Sequence, residues 1–134
     1  MEAIIVNFSE FARDNICDAI LGGHWMCNGD NSGEEYFEKY FQYQFKDAIE
    51  KDMAIKFTAK YTYGVPPSFI NTLIGLAVET FGIDEVEKRI EGFVEEDDTH
   101  YNELIKSTIE FYKDKPKSFK DERNLKFCKR YNKE

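Results

Sequence analysis

The chain has 134 residues, of which 42% are hydrophobic, which is enough for one domain around one core. Residues 1–112 hold 22 acids and 9 Lys/Arg, a net −13, whereas residues 113–134 hold 4 acids and 9 Lys/Arg, a net +5. Such an acidic body argues against nucleic-acid binding, and the lack of an apolar run of about 18 residues argues against a membrane span.

The basic tail, residues 113–134, could attract nucleic acid, but the favoured interpretation is a solvated segment that lies on its own acidic body. The three cysteines, Cys17, Cys27 and Cys128, are odd in number and form no CxxC pair. They predict free thiols in a reducing, cytoplasmic setting. The start of the chain lacks the basic n-region of a secretory signal.

The first elements are a strand, a helix capped by Ser9 and an inserted loop. Ala3–Phe8 is rich in β-branched residues and predicts a strand. Residues 22–33 cluster Gly, Asn, Asp and Ser and predict a loop that holds His24 and Cys27. This pair could begin a metal site or act as nucleophile and base. No second ligand pair accompanies it, so the sequence predicts no metal, no cofactor and no catalytic residue.

Ser32 and Glu35 form a capping box, which predicts a helix start. At 100° per residue, five apolar positions from Phe37 to Ile49 share one face and predict a core contact. Tyr36, Tyr40 and Tyr43 form a separate stripe. The stripe is either a second, partly dry surface or a rim of the same core with its hydroxyls outward.

The stretch Met53–Thr62 alternates strictly between apolar and polar positions, which predicts a strand with one buried face. Its polar face, with Lys56 and Lys60, is predicted to be solvated or at an edge. Pro66 and Pro67 then predict a helix start, an apolar pattern at helical spacing follows, and Gly82 predicts the helix end.

After Gly82 the sequence predicts a short helix, a strand over Ile90–Val94, and a last helix after Thr99. The last helix has an apolar stripe from Tyr101 to Tyr112, which places Leu104 and Ile109 in the core. Strands alternating with helices predict one α/β domain over residues 1–112, with a mixed sheet and packed helices.

Four segments of the central part of the chain form a recognisable pattern: Ile55–Phe57, Gly64–Gly75, Phe81–Gly82 and Lys88–Ile90. This pattern resembles the STAS-like family, small bacterial and phage domains of unassigned function. The resemblance covers residues 48–94 and is more distant to STAS domains, the anti-sigma factor antagonists. It implies a single STAS-like domain. In the antagonists a serine in the corresponding first helical turn is phosphorylated by a partner kinase, and Ser68 matches that position. Pro66 and Phe69 stand where that family has Asp and Gly.

The sequence therefore predicts a non-enzymatic regulatory domain that binds a protein partner through the loop and helix start around Ser68, the possible phosphoacceptor. The alternative is a small acidic inhibitor of the phage counter-defence type, which mimics nucleic acid and blocks a basic groove on a partner enzyme. A third class is a hydrolase that uses Cys27 and His24. The residues predicted to contact the partner are Tyr63, Pro66, Pro67, Ser68, Phe69 and Asn71, together with Tyr36, Tyr40 and Tyr43.

Overall fold

The computed structural model describes residues 2–9, 32–60, 62, 65–94 and 99–114. Within them three strands form one sheet in the order β1-β2-β3: β1 is Ala3–Asn7, β2 is Ala54–Thr58 and β3 is Ile90–Phe93. The predicted α/β class is confirmed. The described strands are all parallel, however, where the sequence predicts a mixed sheet. Helical residues separate each strand from the next and return the chain to the same end of the sheet.

Four helices accompany the sheet in the described ranges. Helix α1 spans residues 33–51 as three continuous segments: an α-helical turn Gly33–Tyr36, a π-helical segment Phe37–Phe41 and an α-helix Gln42–Lys51. Helix α2 is Pro67–Phe81, α3 is Ile83–Arg89 and α4 is Thr99–Asp114. None of the helices in these ranges is long and apolar enough to cross a membrane.

The core is an aromatic cluster between one face of the sheet and the helices. Phe57 of β2 is fully buried and contacts three rings: Phe8 at 5.3 Å, Phe41 at 5.7 Å and Phe93 at 5.5 Å between centroids. Phe8 in turn contacts Phe69 of α2 at 5.2 Å. These rings join all three strand ends to α1 and α2, so the core lies directly beneath the start of α2.

The polar face of β2 is more buried than predicted, since the sequence predicts a solvated face or a strand at the sheet edge. Ala54 and Thr58 on that face are buried, and Lys56 between them is only partly exposed. The reason is the position of β2, which is hydrogen-bonded on both sides by β1 and β3. A central parallel strand is usually covered on both faces, and its own alternation does not show this.

A buried arginine fixes α3 to the junction between α1 and β2. Arg89 is 3% exposed, and its Nη1 donates to the Met53 carbonyl oxygen at 2.9 Å while its Nε donates to Glu85 at 2.9 Å. Its Nη2 lies 3.2 Å from the carboxylate of Asp52, the left-handed residue (φ 54°) that ends α1. The hydrogen bond to Glu85, the largest cause, and the charge of Asp52 raise the pKa of Arg89.

Helix α4 confirms the predicted apolar stripe and closes the other side of the core. Ile105, Thr108 and Ile109 are buried, and Tyr101 and Leu104 are half-buried against the cluster. The helix continues through Lys113 and Asp114, so the first two residues of the predicted tail are helical.

We expect Ile109→Ala to lower the free energy of unfolding by about 2–5 kcal/mol, since a buried isoleucine loses both its apolar burial and its packing contacts. Leu104→Ala should cost less, because Leu104 is only half-buried. Urea unfolding of both variants measures the difference. A loss below about 1 kcal/mol for Ile109→Ala would mean that α4 does not pack as described.

Candidate functional site

The start of α2 lies just beyond the carboxyl end of the central strand. Pro66 caps the helix with an extended backbone (φ −58°, ψ 140°), and its carbonyl oxygen accepts from the Phe69 N–H at 3.0 Å. Pro67 occupies the first turn, and no side chain caps the helix. Pro67 is exposed and Ser68 is half-exposed. In parallel α/β sheets ligands bind outside the carboxyl ends of the strands, which is where this turn lies.

Buried aromatic rings support this first turn from below. Phe69 follows Ser68 and is fully buried, in contact with Phe8 and with Tyr36, whose ring centroid lies 6.0 Å away. Because these contacts fix Phe69, the neighbouring Pro67 and Ser68 are presented on a rigid base.

The first turn of α1 packs directly on the first turn of α2. A Cβ added at Gly33 would lie 2.6 Å from the Phe69 carbonyl oxygen, so only glycine permits this approach of the two backbones. Ser32 caps this helix as predicted, with its Oγ accepting from the Glu35 N–H at 3.0 Å, while the Glu35 carboxylate accepts from Lys39 Nζ at 2.8 Å. Ser32 and Gly33 therefore belong to the helix start, although the sequence predicts Gly33 as the last residue of the loop 22–33.

Helix α4 holds the start of α2 from the other side. The Thr108 hydroxyl donates to Asn71 Oδ1 at 2.6 Å, and the Val65 N–H donates to the Tyr101 hydroxyl oxygen at 3.0 Å. Tyr101 stacks on Phe93 at the end of β3, with 4.8 Å between ring centroids. The segment around Pro66 is thus connected to both α4 and β3. The main contact of Asn71 is the hydrogen bond that links α2 to α4.

The structure divides the predicted contact residues into accessible and buried ones. Phe69 and Tyr36 are core residues, 0% and 2% exposed, so neither is available to a partner in this conformation. Tyr63 lies outside the described residues. At the helix start Pro67 is exposed, and Pro66, Ser68 and Asn71 are half-exposed, with Asn71 accepting the hydrogen bond from Thr108.

The predicted tyrosine stripe is split along α1. Tyr36 is buried, whereas Tyr40 is 45% and Tyr43 is 62% exposed. The stripe assumes a regular α-helix, but the π-helical segment Phe37–Phe41 inserts an extra residue per turn and shifts the phase between Tyr36 and Tyr43. Tyr36 still contacts Tyr40, with 5.4 Å between ring centroids, so the exposed tyrosine is linked through Tyr36 to the base of α2.

A second surface feature is not predicted by the sequence. An open groove of about 530 Å³ lies between α4 on one side and α3 and β3 on the other. We call it the acidic groove. Lys106 is the one cation in its lining, and Ile105 and Ile109 contribute apolar surface. The sequence signal for this groove is the row of acids beside the apolar stripe of α4. Only the packing of α3 against α4 brings the acids of α4 close to those of α3 and β3. Its acidic residues are Glu87, Glu91, Glu103 and Glu110.

Asn102 forms part of the groove wall and leaves no room for a side chain at Gly92 of β3. Its Oδ1 accepts from the Phe93 N–H at 2.7 Å and would lie 2.5 Å from a Cβ at Gly92, which has φ 121°. Glycine is therefore required there by both space and backbone conformation. Among the described residues no group of three or more His, Cys, Asp or Glu side chains could hold a metal ion.

Several residues that the sequence singles out lie outside the described residues. They are Cys17, His24, Cys27, Cys128 and the chain from 115 onward. The metal and Cys–His hypotheses for residues 22–33 therefore stay hypotheses. Comparison of the chain with protein-family models, with curated proteins and with solved structures found no match in any of the three.

Proposed function

We propose that this chain is a regulatory, protein-binding domain of the STAS-like kind, whose partner contacts the first turn of α2. The proposal rests on one observation: the first turn of α2 is accessible and is supported by a fully buried residue. Pro67 and Ser68 are exposed or half-exposed, while Phe69 directly after them is fully buried. A preorganised contact loses little conformational entropy on binding, which favours affinity.

The chemistry of the turn suits a negative partner group. Pro66 and Pro67 have no backbone N–H, and the Phe69 N–H donates to the Pro66 carbonyl oxygen at 3.0 Å, so the positive potential at this end comes mainly from the helix dipole. The same potential would stabilise a phosphate on Ser68, which supports its role as the possible phosphoacceptor. Such a phosphate would change the charge at the centre of the contact and switch partner binding.

Tyr40 and Tyr43 extend the proposed contact along α1. Both expose a large part of an amphipathic ring, which can bury apolar area while its hydroxyl keeps a hydrogen bond. Aromatic residues of this kind are enriched in the centres of protein interfaces.

Photo-crosslinking in an extract of the native host tests the proposal. A photoreactive amino acid is placed at Pro67 in one version of the chain and at Thr80 in another. Thr80 is exposed in the last turn of the same helix, about 20 Å from position 67 at 1.5 Å per residue. We expect position 67 to capture a protein that position 80 does not. Capture of the same proteins from both positions would contradict a contact at the start of α2.

The acidic groove favours a second candidate function, the small acidic inhibitor that blocks a basic groove on an enzyme. Four of its lining residues are glutamates, and they belong to a body of net charge −13. A complex held by such charges weakens steeply with salt, because the Debye length falls from about 8 Å at 0.15 M to 3 Å at 1 M. Affinity for the captured partner at both salt concentrations separates the two functions, since the contact at α2 should tolerate salt.

A further inference from the structure

Helix α1 packs on both ends of α2. Its first turn contacts the start of α2 through Tyr36, whose ring centroid lies 6.0 Å from that of Phe69. Its last part contacts the end of α2 through Phe45, which stacks on Phe81 with 4.7 Å between ring centroids. Tyr36 and Phe45 are nine residues apart, and at about 100° per residue a regular α-helix would place them on opposite sides. The two contacts therefore require a shift in the phase of the helix.

The π-helical segment provides this shift with one extra residue. The Gln42 N–H donates to the Phe37 carbonyl oxygen, five residues earlier instead of four. Tyr36 and Phe45 then lie about 80° apart around the helix axis, so both reach α2. The Tyr36 hydroxyl also donates to Gln44 Oε1 at 3.2 Å, and these two residues likewise need the extra residue to share one face.

A carbonyl that the π-helical turn passes over is bonded by a side chain. In a regular α-helix the backbone N–H of Gln42 would donate to the Glu38 carbonyl oxygen. Here the Gln42 side-chain Nε2 donates to that oxygen at 2.8 Å instead. Gln42 thus satisfies two carbonyls, one through its backbone and one through its side chain, and it holds the extra residue in the turn.

The turn that holds the extra residue adjoins the proposed contact. Glu38, Lys39 and Tyr40 are all exposed, so the extra residue lies outside the core. Tyr40 contacts Tyr36, which in turn contacts Phe69 at the start of α2. Irregular helical turns of this kind are frequent at functional sites, because a regular helix would otherwise be the more stable choice.

We propose that the exposed turn 38–40 is a one-residue insertion that serves the partner contact, and that Gln42 is the positioning residue that holds it. The inference rests on the proposed function, since the partner is the protein that contacts the start of α2. It assigns to that partner one continuous surface, which covers the first turn of α2 and the amphipathic rings of Tyr40 and Tyr43 on α1.

Two single-residue deletions test the insertion without a partner. Deleting Lys39 removes the extra residue and keeps the phase between Tyr36 and Phe45, so the melting temperature should stay unchanged or rise. Deleting Lys46, which is exposed in the regular part of α1, turns the buried Ala48 by about 100° and should lower the melting temperature strongly. Equal losses in the two deletions would overturn the proposal.

A double-variant cycle tests the role of Gln42. In the parent, Gln42→Met removes the donor to the Glu38 carbonyl and should raise the unfolding equilibrium constant roughly two- to twelvefold, the range for one hydrogen bond. In the chain without Lys39 a backbone N–H reaches that carbonyl, so the same substitution should have no effect. Equal effects in both chains would contradict the positioning role.

Nuclear magnetic resonance of the parent is a second measurement of the register. We expect a scalar coupling across the hydrogen bond from the Gln42 amide nitrogen to the Phe37 carbonyl carbon. A coupling to the Glu38 carbonyl carbon in its place would show a regular α-helix and overturn the proposal.

Affinity for the captured partner tests the functional part. The chain without Lys39 should bind roughly tenfold or more weakly, whereas Lys39→Ala, which keeps the turn, should bind as the parent does. Equally weak binding of both would assign the effect to the lysine side chain and overturn the insertion. Ser68→Asp is measured beside them. Weak binding of Ser68→Asp with parental binding of the deletion would overturn this inference and keep the proposed function. The reverse pattern would overturn the contact at α2 and leave the turn 38–40 as the contact.

Discussion

Replacing Phe57 with alanine is expected to lower the free energy of unfolding by about 3–5 kcal/mol. Phe57 is fully buried in the central strand and contacts the rings of Phe8, Phe41 and Phe93. Its removal would leave a cavity where β1, β3 and α1 meet. Domains of this size are stable by about 5–15 kcal/mol, so the variant would lose a large part of its stability.

The matched control is Phe111→Ala on α4. Phe111 is 49% exposed, so the same change there should stay within about 0.5 kcal/mol. Chemical unfolding of both variants beside the parent measures the two losses. Similar losses at the two positions would mean that the core is not centred on Phe57, and the support that it provides to Phe69 and the start of α2 would then be in doubt.

The elements that the sequence predicts well are those with local signals. Pro67 and Gly82 mark the bounds of α2 by their own backbone restrictions, and both bounds are confirmed. The stripe of α4 needs only helical periodicity, because its buried residues all face one core. Ser32 caps α1 as predicted through a bond to a residue three positions away.

The features that could not be predicted depend on residues distant in sequence. The burial of Thr58 follows from the central position of β2, which only the pairing with β1 and β3 decides. Arg89 stands in a charged run that resembles a solvated helix, but its partner carbonyl at Met53 is 36 residues away. The π-helical segment has no local sequence marker, so Tyr36 could not be distinguished from Tyr40 and Tyr43.

The same reasoning applies to the candidate site. The helix start at Pro66 and Ser68 is located by its punctuating prolines, which is local information. Which of its neighbours remain accessible is decided by the packing of Phe69 on Phe8 and Tyr36. The acidic groove requires the packing of α3 against α4, two elements whose individual patterns resemble ordinary solvated helix faces.

Ser68→Asp is expected to separate stability from binding. The new carboxylate enters the first turn of α2, where a helix N-terminus favours negative charge by roughly 0.3–1 kcal/mol. Ser68 is half-exposed and no side chain caps this helix, so the carboxylate has room at the positive end of the helix dipole. The melting temperature should therefore stay unchanged or rise.

Partner affinity should fall in the same variant. A partner packed against this turn would have to desolvate the carboxylate, which costs several kcal/mol if the charge stays unpaired. We expect a loss of tenfold or more, at about 1.4 kcal/mol per decade. Ser68→Ala removes only a hydroxyl and should change little. A thermal melt and a calorimetric titration of each variant with the captured partner measure both quantities.

Ser107→Asp is the matched control, because it adds the same charge to an exposed serine on α4, outside the first turn of α2. A regulatory contact at α2 predicts weak binding for Ser68→Asp and parental binding for Ser107→Asp. An acidic inhibitor predicts that both variants bind as tightly as the parent or more tightly, since each adds one acid to a body of net charge −13. Parental affinity of Ser68→Asp would therefore remove the start of α2 as the contact and leave the acidic surface as the binding face.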